Sequence, residues 1–188
     1  ISNMYNDHNG LNISGYSQLE IRPLPGLKGV AGFRIEQNSL DAIKDRIVPV
    51  FRAGLNWQAA EFTYLRASFG QGYRYPSIAE KHASTTLGSV TIFPNTAILP
   101  ESGWSTEAGI KQGLAIGSIT GQADLSLFMS QNKNMIEYFL AVYPDPESGL
   151  PVTGFKATNI EQSRVYGGEA EVVMNGSIGS ISTTLSGG

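Results

Sequence analysis

The chain contains no cysteine, so its 188 residues form neither a disulfide framework nor a thiolate site. It has two histidines, His8 and His82, which stand far apart without metal-ligand spacing around either, and we expect no metal ion and no cofactor. Charged residues make up only 15%, below the roughly 25% typical of soluble domains. The net charge is -3, with no basic or acidic block, so nothing indicates a nucleic-acid partner.

Long apolar runs are missing as well. No run of about 18 apolar residues is present, which excludes a transmembrane helix. The first ten residues, ISNMYNDHNG, are neither basic nor apolar, so we expect no signal peptide. Either the chain is not exported or it is an interior piece of a longer one. Helical periodicity is nearly absent throughout.

The chain instead alternates apolar and polar residues with a period of two, which is typical of strands with one apolar and one polar face. This pattern predicts eight strands. They cover residues 11–21, 27–35, 47–57, 63–69, 104–111, 119–130, 169–174 and 180–185. We expect Phe51 and Trp57 to share a face with Leu55.

The links between these strands alternate strictly between short and long. Short turns fall at RPLPG, WQAAE, KQGLAIGS and MNGS, whereas longer links cover 37–46, 70–100 and YPDPESGLP. Such asymmetry is typical of transmembrane β-barrels, and strands near twenty residues at 119–139 and 155–174 favour the same class. Trp57 and Trp104, near strand ends, fit either an interfacial girdle or ordinary core anchors. The predicted fold is an all-β, antiparallel up-and-down meander of about eight long strands, an arc of a larger transmembrane β-barrel.

One corner, SFGQGYRYPSIAE, follows the fourth alternating stretch. Its two glycines suggest a nucleotide loop, but the third glycine and a following helical pattern are missing. Pro76 ends ladder pairing, and Gly70 and Gly72 permit tight backbone geometry beside bulky rings. The planar fork of Arg74 suits a carboxylate partner. We interpret the corner as the locked start of a long external loop.

The longer stretch LRASFGQGYRYPSIAEKH resembles the barrel segment of TonB-dependent outer-membrane receptors. Two further stretches, NTAILPESGWSTEAGIK and TNIEQSRVYGGEAEV, are similar to later motifs of that family, in the same order. The resemblance implies structural roles for the matching residues. They are Gly72, Arg74, Pro76, Ser77, Glu80, Asn95, Leu99, Pro100, Glu101, Glu107, Asn159, Gly168 and Glu169.

The resemblance also implies a function. It makes residues 1–188 part of the barrel of an importer in the outer membrane of a Gram-negative bacterium, without the plug domain and without the barrel C-terminus. The parent would take up a scarce nutrient such as siderophore-bound iron, cobalamin or a glycan, with TonB and the plug as partners. The charged positions that we expect to be able to face the lumen are Arg52, Arg66, Lys111, Asp124 and Glu171.

The alternatives to an importer are an enzyme, a soluble β-sandwich and a passive porin. Glu169 and Glu171 are two residues apart and merely share a face, and no Ser–His–Asp spacing is present, so we expect no enzyme, an outer-membrane lipase included. A soluble β-sandwich that binds carbohydrate or protein requires Greek-key crossings, so strand order tests it. A passive porin segment differs by lacking a plug.

If the barrel interpretation holds, the isolated piece exposes its apolar stripe and its strand edges to water and self-associates. That stripe consists of Ile47, Phe51, Leu55, Leu65, Phe69, Ile110, Leu125 and Leu127.

Overall fold

The structure, a computed structural model, describes residues 4, 6–88, 90–146, 148–178 and 181–188. Within them, the chain forms strands of one sheet and one short helix. The elements are β1 (Gly10–Leu24), β2 (Leu27–Leu40), β3 (Ile43–Lys44), β4 (Val48–Ala60), β5 (Thr63–Arg74), α1 (Ile78–His82), β6 (Thr85–Leu87), β7 (Val90–Phe93), β8 (Glu101–Ile116), β9 (Ile119–Pro144), β10 (Pro151–Ile178) and β11 (Ile181–Gly187).

The long strands pair with their neighbours in sequence. The order is β1-β2-β4-β5-β8-β9-β10, with β11 also on β10, and all these pairs are antiparallel. Sequential pairing confirms the up-and-down meander and contradicts the Greek-key sandwich. Each of the eight predicted strands corresponds to one long strand, although Ser180 lies outside the described residues. Strands β9 and β10 reach 26 and 28 residues, longer than the near-twenty predicted.

The register sorts the side chains onto two faces. One row across the sheet runs Trp57, Leu65, Ile110, Leu125 and Ala170, and the next row runs Asn56, Arg66, Gly109, Ser126 and Glu169. Because side chains alternate along a strand, the first row marks an apolar face and the second a polar face. Phe51, Leu55 and Trp57 lie on the apolar face, as predicted.

The two ends of the sheet differ. The turn end carries tight links at 24–27, 60–63 and 116–119, and the loop end carries 40–48, 74–101 and 144–151. Gly26 and Gly117 have φ of 75° and 61°, the left-handed geometry of tight turns. No helix in the described ranges is long and apolar enough to cross a bilayer.

The described residues bury little of their apolar surface. Ile98, Ile136 and Ala157 form a small cluster at the loop end, and Leu125 and Leu127 on the apolar face remain 50% and 63% exposed. Both faces of the sheet therefore lack a second packed layer within the ranges described. Such a sheet needs a further apolar surface to cover its apolar face.

Two features of the loop end depart from the predictions. The five-residue helix α1 begins within the last residues of the corner, where no helical pattern was expected. Strand β7 pairs in parallel with the part of β10 at Gly154–Lys156, so the long link folds back onto the sheet. Periodicity misses both because each segment is shorter than the window in which a period can be recognised.

Candidate functional site: the loop junction and the polar face

Arg74 joins three segments at the loop end. It is the last residue of β5, and its Nε and Nη2 atoms donate to the two carboxylate oxygens of Glu101 at 2.7 and 2.8 Å. Its Nη1 atom donates to both oxygens of Glu80 at 3.0 Å. One guanidinium thus fastens the start of β8 and helix α1 to the end of β5, which uses the planar donor geometry particular to arginine.

The corner after Arg74 is a capped helix start. Pro76 is buried, and Ser77 is the N-cap of α1. The Glu80 amide donates to the Ser77 hydroxyl at 3.2 Å, and the Ser77 amide donates to the Glu80 carboxylate at 2.7 Å. This reciprocal pair is a capping box. Glu80 therefore serves both the helix cap and Arg74.

Glu101 also reaches across the sheet. Its carboxylate accepts from the Ile136 amide of β9 at 2.6 Å in addition to Arg74. Pro100 directly precedes β8, where its missing N–H leaves no ladder bond unmade. The start of β8 is thus held on both sides.

Asn159 ties the long link to the sheet. Its side-chain oxygen accepts from the Leu99 amide at 2.8 Å, and its Nδ2 donates to the Leu99 carbonyl at 2.9 Å and to the Asn134 carbonyl at 2.8 Å. Asn134 has φ of 56°, and the β9–β10 pairing skips it. Asn95 makes a related contact, donating to the Ala157 carbonyl at 2.8 Å. The predicted residues of the second and third motifs therefore meet in space.

On the polar face, Arg66 is the centre of a charge cluster. Its guanidinium lies 3.0 Å from Glu107 and 2.8 Å from Asp124, and Lys111 Nζ lies 3.7 Å from Asp124. Gly109 makes room for it, since a Cβ there would lie 2.7 Å from Arg66 Cζ. The cluster crosses β5, β8 and β9 at mid-sheet.

The remaining predicted charges lie on the same face as the Arg66 cluster. Arg52 donates to Gln18 of β1. Glu171 is the register partner of Asp124, and Glu169 that of Ser126. Gly168 is on the apolar face, where a Cβ would meet Leu127 Cδ2 at 2.9 Å. The structure thus places Arg52, Arg66, Lys111, Asp124 and Glu171 on one polar face, away from the apolar stripe.

The apolar face has a tryptophan near each end. Trp57 lies close to the turn end of β4, and Trp104 lies close to the loop end of β8, where its ring stacks on Phe69 at 6.4 Å between centroids. Trp57 lies in the same row across the sheet as Ile110 of β8, and Ile110 is six residues along β8 from Trp104. At about 3.4 Å per residue this spans roughly 20 Å along the strand, close to the roughly 25 Å apolar band of outer-membrane barrels.

Sequence reasoning missed one cluster, formed by His8, Asp41 and His82. The His8 Nδ1 atom lies 2.7 Å from Asp41 Oδ2, and the two imidazole rings stand 3.8 Å apart. Burial lowers the pKa of His82, and the nearby His8 lowers it further. The hydrogen bond donated by the Asn9 amide lowers the pKa of the Asp41 carboxyl. The pairing of β1 with β2 brings His8 beside Asp41, and this proximity could have been predicted from the strand order. The position of His82 depends instead on how the long link folds.

A single antiparallel meander with an apolar face, tryptophans near both ends of that face, and a charged opposite face is the wall of a transmembrane β-barrel. The family model described as TonB dependent receptor-like, beta-barrel matches residues 2–188, so the chain belongs to that family. The family comprises receptors and transporters rather than enzymes. No curated protein is significantly similar in sequence to the chain.

Solved structures show the same fold. The siderophore receptor PirA from Pseudomonas aeruginosa aligns with TM-score 0.70 at 18% identity, over 87% of this chain and 31% of that one. A double mutant of the Serratia marcescens hemophore receptor HasR, in complex with its hemophore HasA and heme, aligns with TM-score 0.74 at 15% identity, over 97% and 34%. A mutant ferric enterobactin receptor (PfeA) from Pseudomonas aeruginosa, in complex with enterobactin, aligns with TM-score 0.64 at 17% identity, over 87% and 24%. The chain therefore spans about a third or less of these structures.

Proposed function

We propose that this chain is a segment of the barrel wall of an energised outer-membrane receptor that imports a scarce nutrient. The carrying observation is the register, which places the aliphatic stripe on one face and the charged residues on the other. Lipid would cover the apolar face in the outer membrane of a Gram-negative bacterium. The polar face, with the Arg66 cluster, would line the lumen against a plug domain encoded elsewhere in the parent.

Among scarce nutrients, we propose an iron chelate as the cargo. The similar structures are a siderophore receptor, a hemophore receptor in complex with its hemophore and heme, and a ferric enterobactin receptor. The chain's contribution would be a rigid platform at the loop end, since Arg74 and Asn159 fasten the long link to three strands. Cobalamin and glycans are the other cargo classes that the experiment below distinguishes.

A passive porin segment is the competing function. It would share the apolar face and the charged lumen, but it would need neither a plug nor TonB. The match of almost the whole chain to the receptor family favours the energised receptor. Dependence on TonB is the property that separates the two functions.

Uptake by the full-length parent protein tests this proposal. It is expressed in a Gram-negative host that lacks its own iron-chelate receptors, with TonB either present or deleted. We expect the protein to take up radiolabelled ferric chelates, and to restore growth on them, only when TonB is present. Equal uptake without TonB would favour a porin, and rescue by cobalamin or a glycan alone would replace the cargo class.

A further inference from the structure

The three side chains of the His8–Asp41–His82 cluster come from separate parts of the chain. His8 precedes β1, Asp41 follows β2, and His82 ends α1. Each offers one ligand atom, and these atoms lie within 4.8 Å of one another. The chain has only two histidines, and both are in this cluster.

Hydrogen bonds from backbone amides also hold the three segments of the cluster together. The Asp41 carboxylate accepts from the Asn9 amide at 3.0 Å, which orients it, and the Asp41 amide donates to the Asn9 carbonyl at 2.8 Å. The Ser84 amide, just beyond α1, donates to the Met4 carbonyl at 3.0 Å. The backbone thus fixes the three segments beside one another before any ligand arrives.

We propose that His8, Asp41 and His82 form a binding site for one divalent transition-metal cation, with Zn²⁺ as the representative ion. Two imidazoles and one carboxylate are ligands that suit zinc and its neighbours, and such a set leaves a further position for water or a ligand. Tetrahedral zinc with bonds of 2.0–2.1 Å separates its ligand atoms by about 3.3 Å. The site is completed by small rotamer changes that bring the most distant ligand atoms closer by up to about 1.5 Å and separate His8 Nδ1 from Asp41 Oδ2 by about 0.6 Å.

The metal has a structural consequence at the loop end. In the structure, His8 and Asp41 share one hydrogen bond, and the His82 ring lies 3.8 Å from the His8 ring at an interplanar angle of 30°. When the metal binds, one ion crosslinks the segment before β1, the turn after β2, and α1 of the long link. The site goes beyond cargo import and does not depend on it, because the crosslink holds whichever cargo the parent carries.

Metal titration of the full-length parent tests the proposal. The protein is purified in detergent and stripped with chelator, and Co²⁺ is added as a spectroscopic probe. We expect visible d–d absorption from a four- or five-coordinate ion at one site, displaced by Zn²⁺. Substitution His82→Asn or Asp41→Asn removes a ligand and should weaken binding at this site at least about tenfold.

Two controls make the result decisive. Asp7→Asn removes an exposed carboxylate one residue from His8 and should leave the Co²⁺ spectrum unchanged. The heat-dependent gel shift of each variant reports whether its barrel is folded, and slower deuterium exchange in residues 78–84 on Zn²⁺ addition reports the crosslink. Folded His82→Asn and Asp41→Asn variants that bind Co²⁺ as the unsubstituted protein does would overturn the site, whatever the result of the uptake experiment.

Discussion

Substitution Asn159→Ala tests how the long link is fastened to the sheet. The change removes three hydrogen bonds, at 2.8, 2.9 and 2.8 Å, to the amide and carbonyl of Leu99 and the carbonyl of Asn134. Each contributes roughly 0.5–1.5 kcal/mol net. Because Asn159 is half-buried, we take the lower half of the range for each of the three bonds and expect local opening to become easier by about 1.5–3 kcal/mol.

Hydrogen–deuterium exchange measures that local opening directly. A loss of about 1.5–3 kcal/mol corresponds to a roughly 12- to 150-fold faster exchange of the Leu99 amide. The neighbouring change Thr158→Ala is the matched control, since that exposed hydroxyl only donates to the Lys156 carbonyl at 3.1 Å. We expect the control to stay within about 0.5 kcal/mol. Equal exchange at Leu99 in both variants would refute the role assigned to Asn159.

Three further outcomes follow from the same contacts. Gly109→Ala places a Cβ 2.7 Å from Arg66 Cζ, whereas a Cβ at Gly72 meets nothing within 4 Å. In chemical unfolding of the parent, Gly109→Ala should therefore lower the free energy of unfolding by up to about 1 kcal/mol and Gly72→Ala by less. Equal losses would contradict the close approach of Gly109 to Arg66. A lysine at position 74 cannot keep the paired contact of Arg74 with both carboxylate oxygens of Glu101. After a discount for solvent exposure, we expect Arg74→Lys to lower the protection of the long link in limited proteolysis by about 1 kcal/mol. Unchanged cleavage would contradict the role of Arg74 in holding the long link. The isolated 188-residue chain should sediment as assemblies in detergent-free buffer, and a folded monomer there would contradict the exposed apolar face.

The sheet and its faces were predictable because side-chain direction in a strand is a local property. Alternation of period two assigned Leu125 to one face and Arg66 to the other, and the register agrees. The strict change between short and long links likewise predicted which strands pair. These features need no knowledge of distant contacts.

The loop end was less predictable because its contacts are long-range. Ser77 and Glu80 stand three residues apart in the spacing of a capping box, so α1 left a local signal that periodicity overlooked. Asn159 and Leu99 meet across 60 residues. His82 reaches His8 through the path of the long link, whose Ser84 amide donates to the Met4 carbonyl at 3.0 Å. No local pattern records that path.

The central claim is that this sheet is a barrel wall with lipid on one face and an aqueous lumen on the other. In the full-length parent reconstituted in lipid, any native cysteine outside this cysteine-free chain is first replaced by serine, and single cysteines at residues 124–129 of β9 then each carry a nitroxide label. Collision with O₂ reports lipid exposure, and collision with a water-soluble nickel complex reports aqueous exposure. The account predicts high O₂ and low nickel accessibility at the odd-numbered positions and a drop in O₂ accessibility at every even-numbered one. Accessibility without this period of two would contradict it.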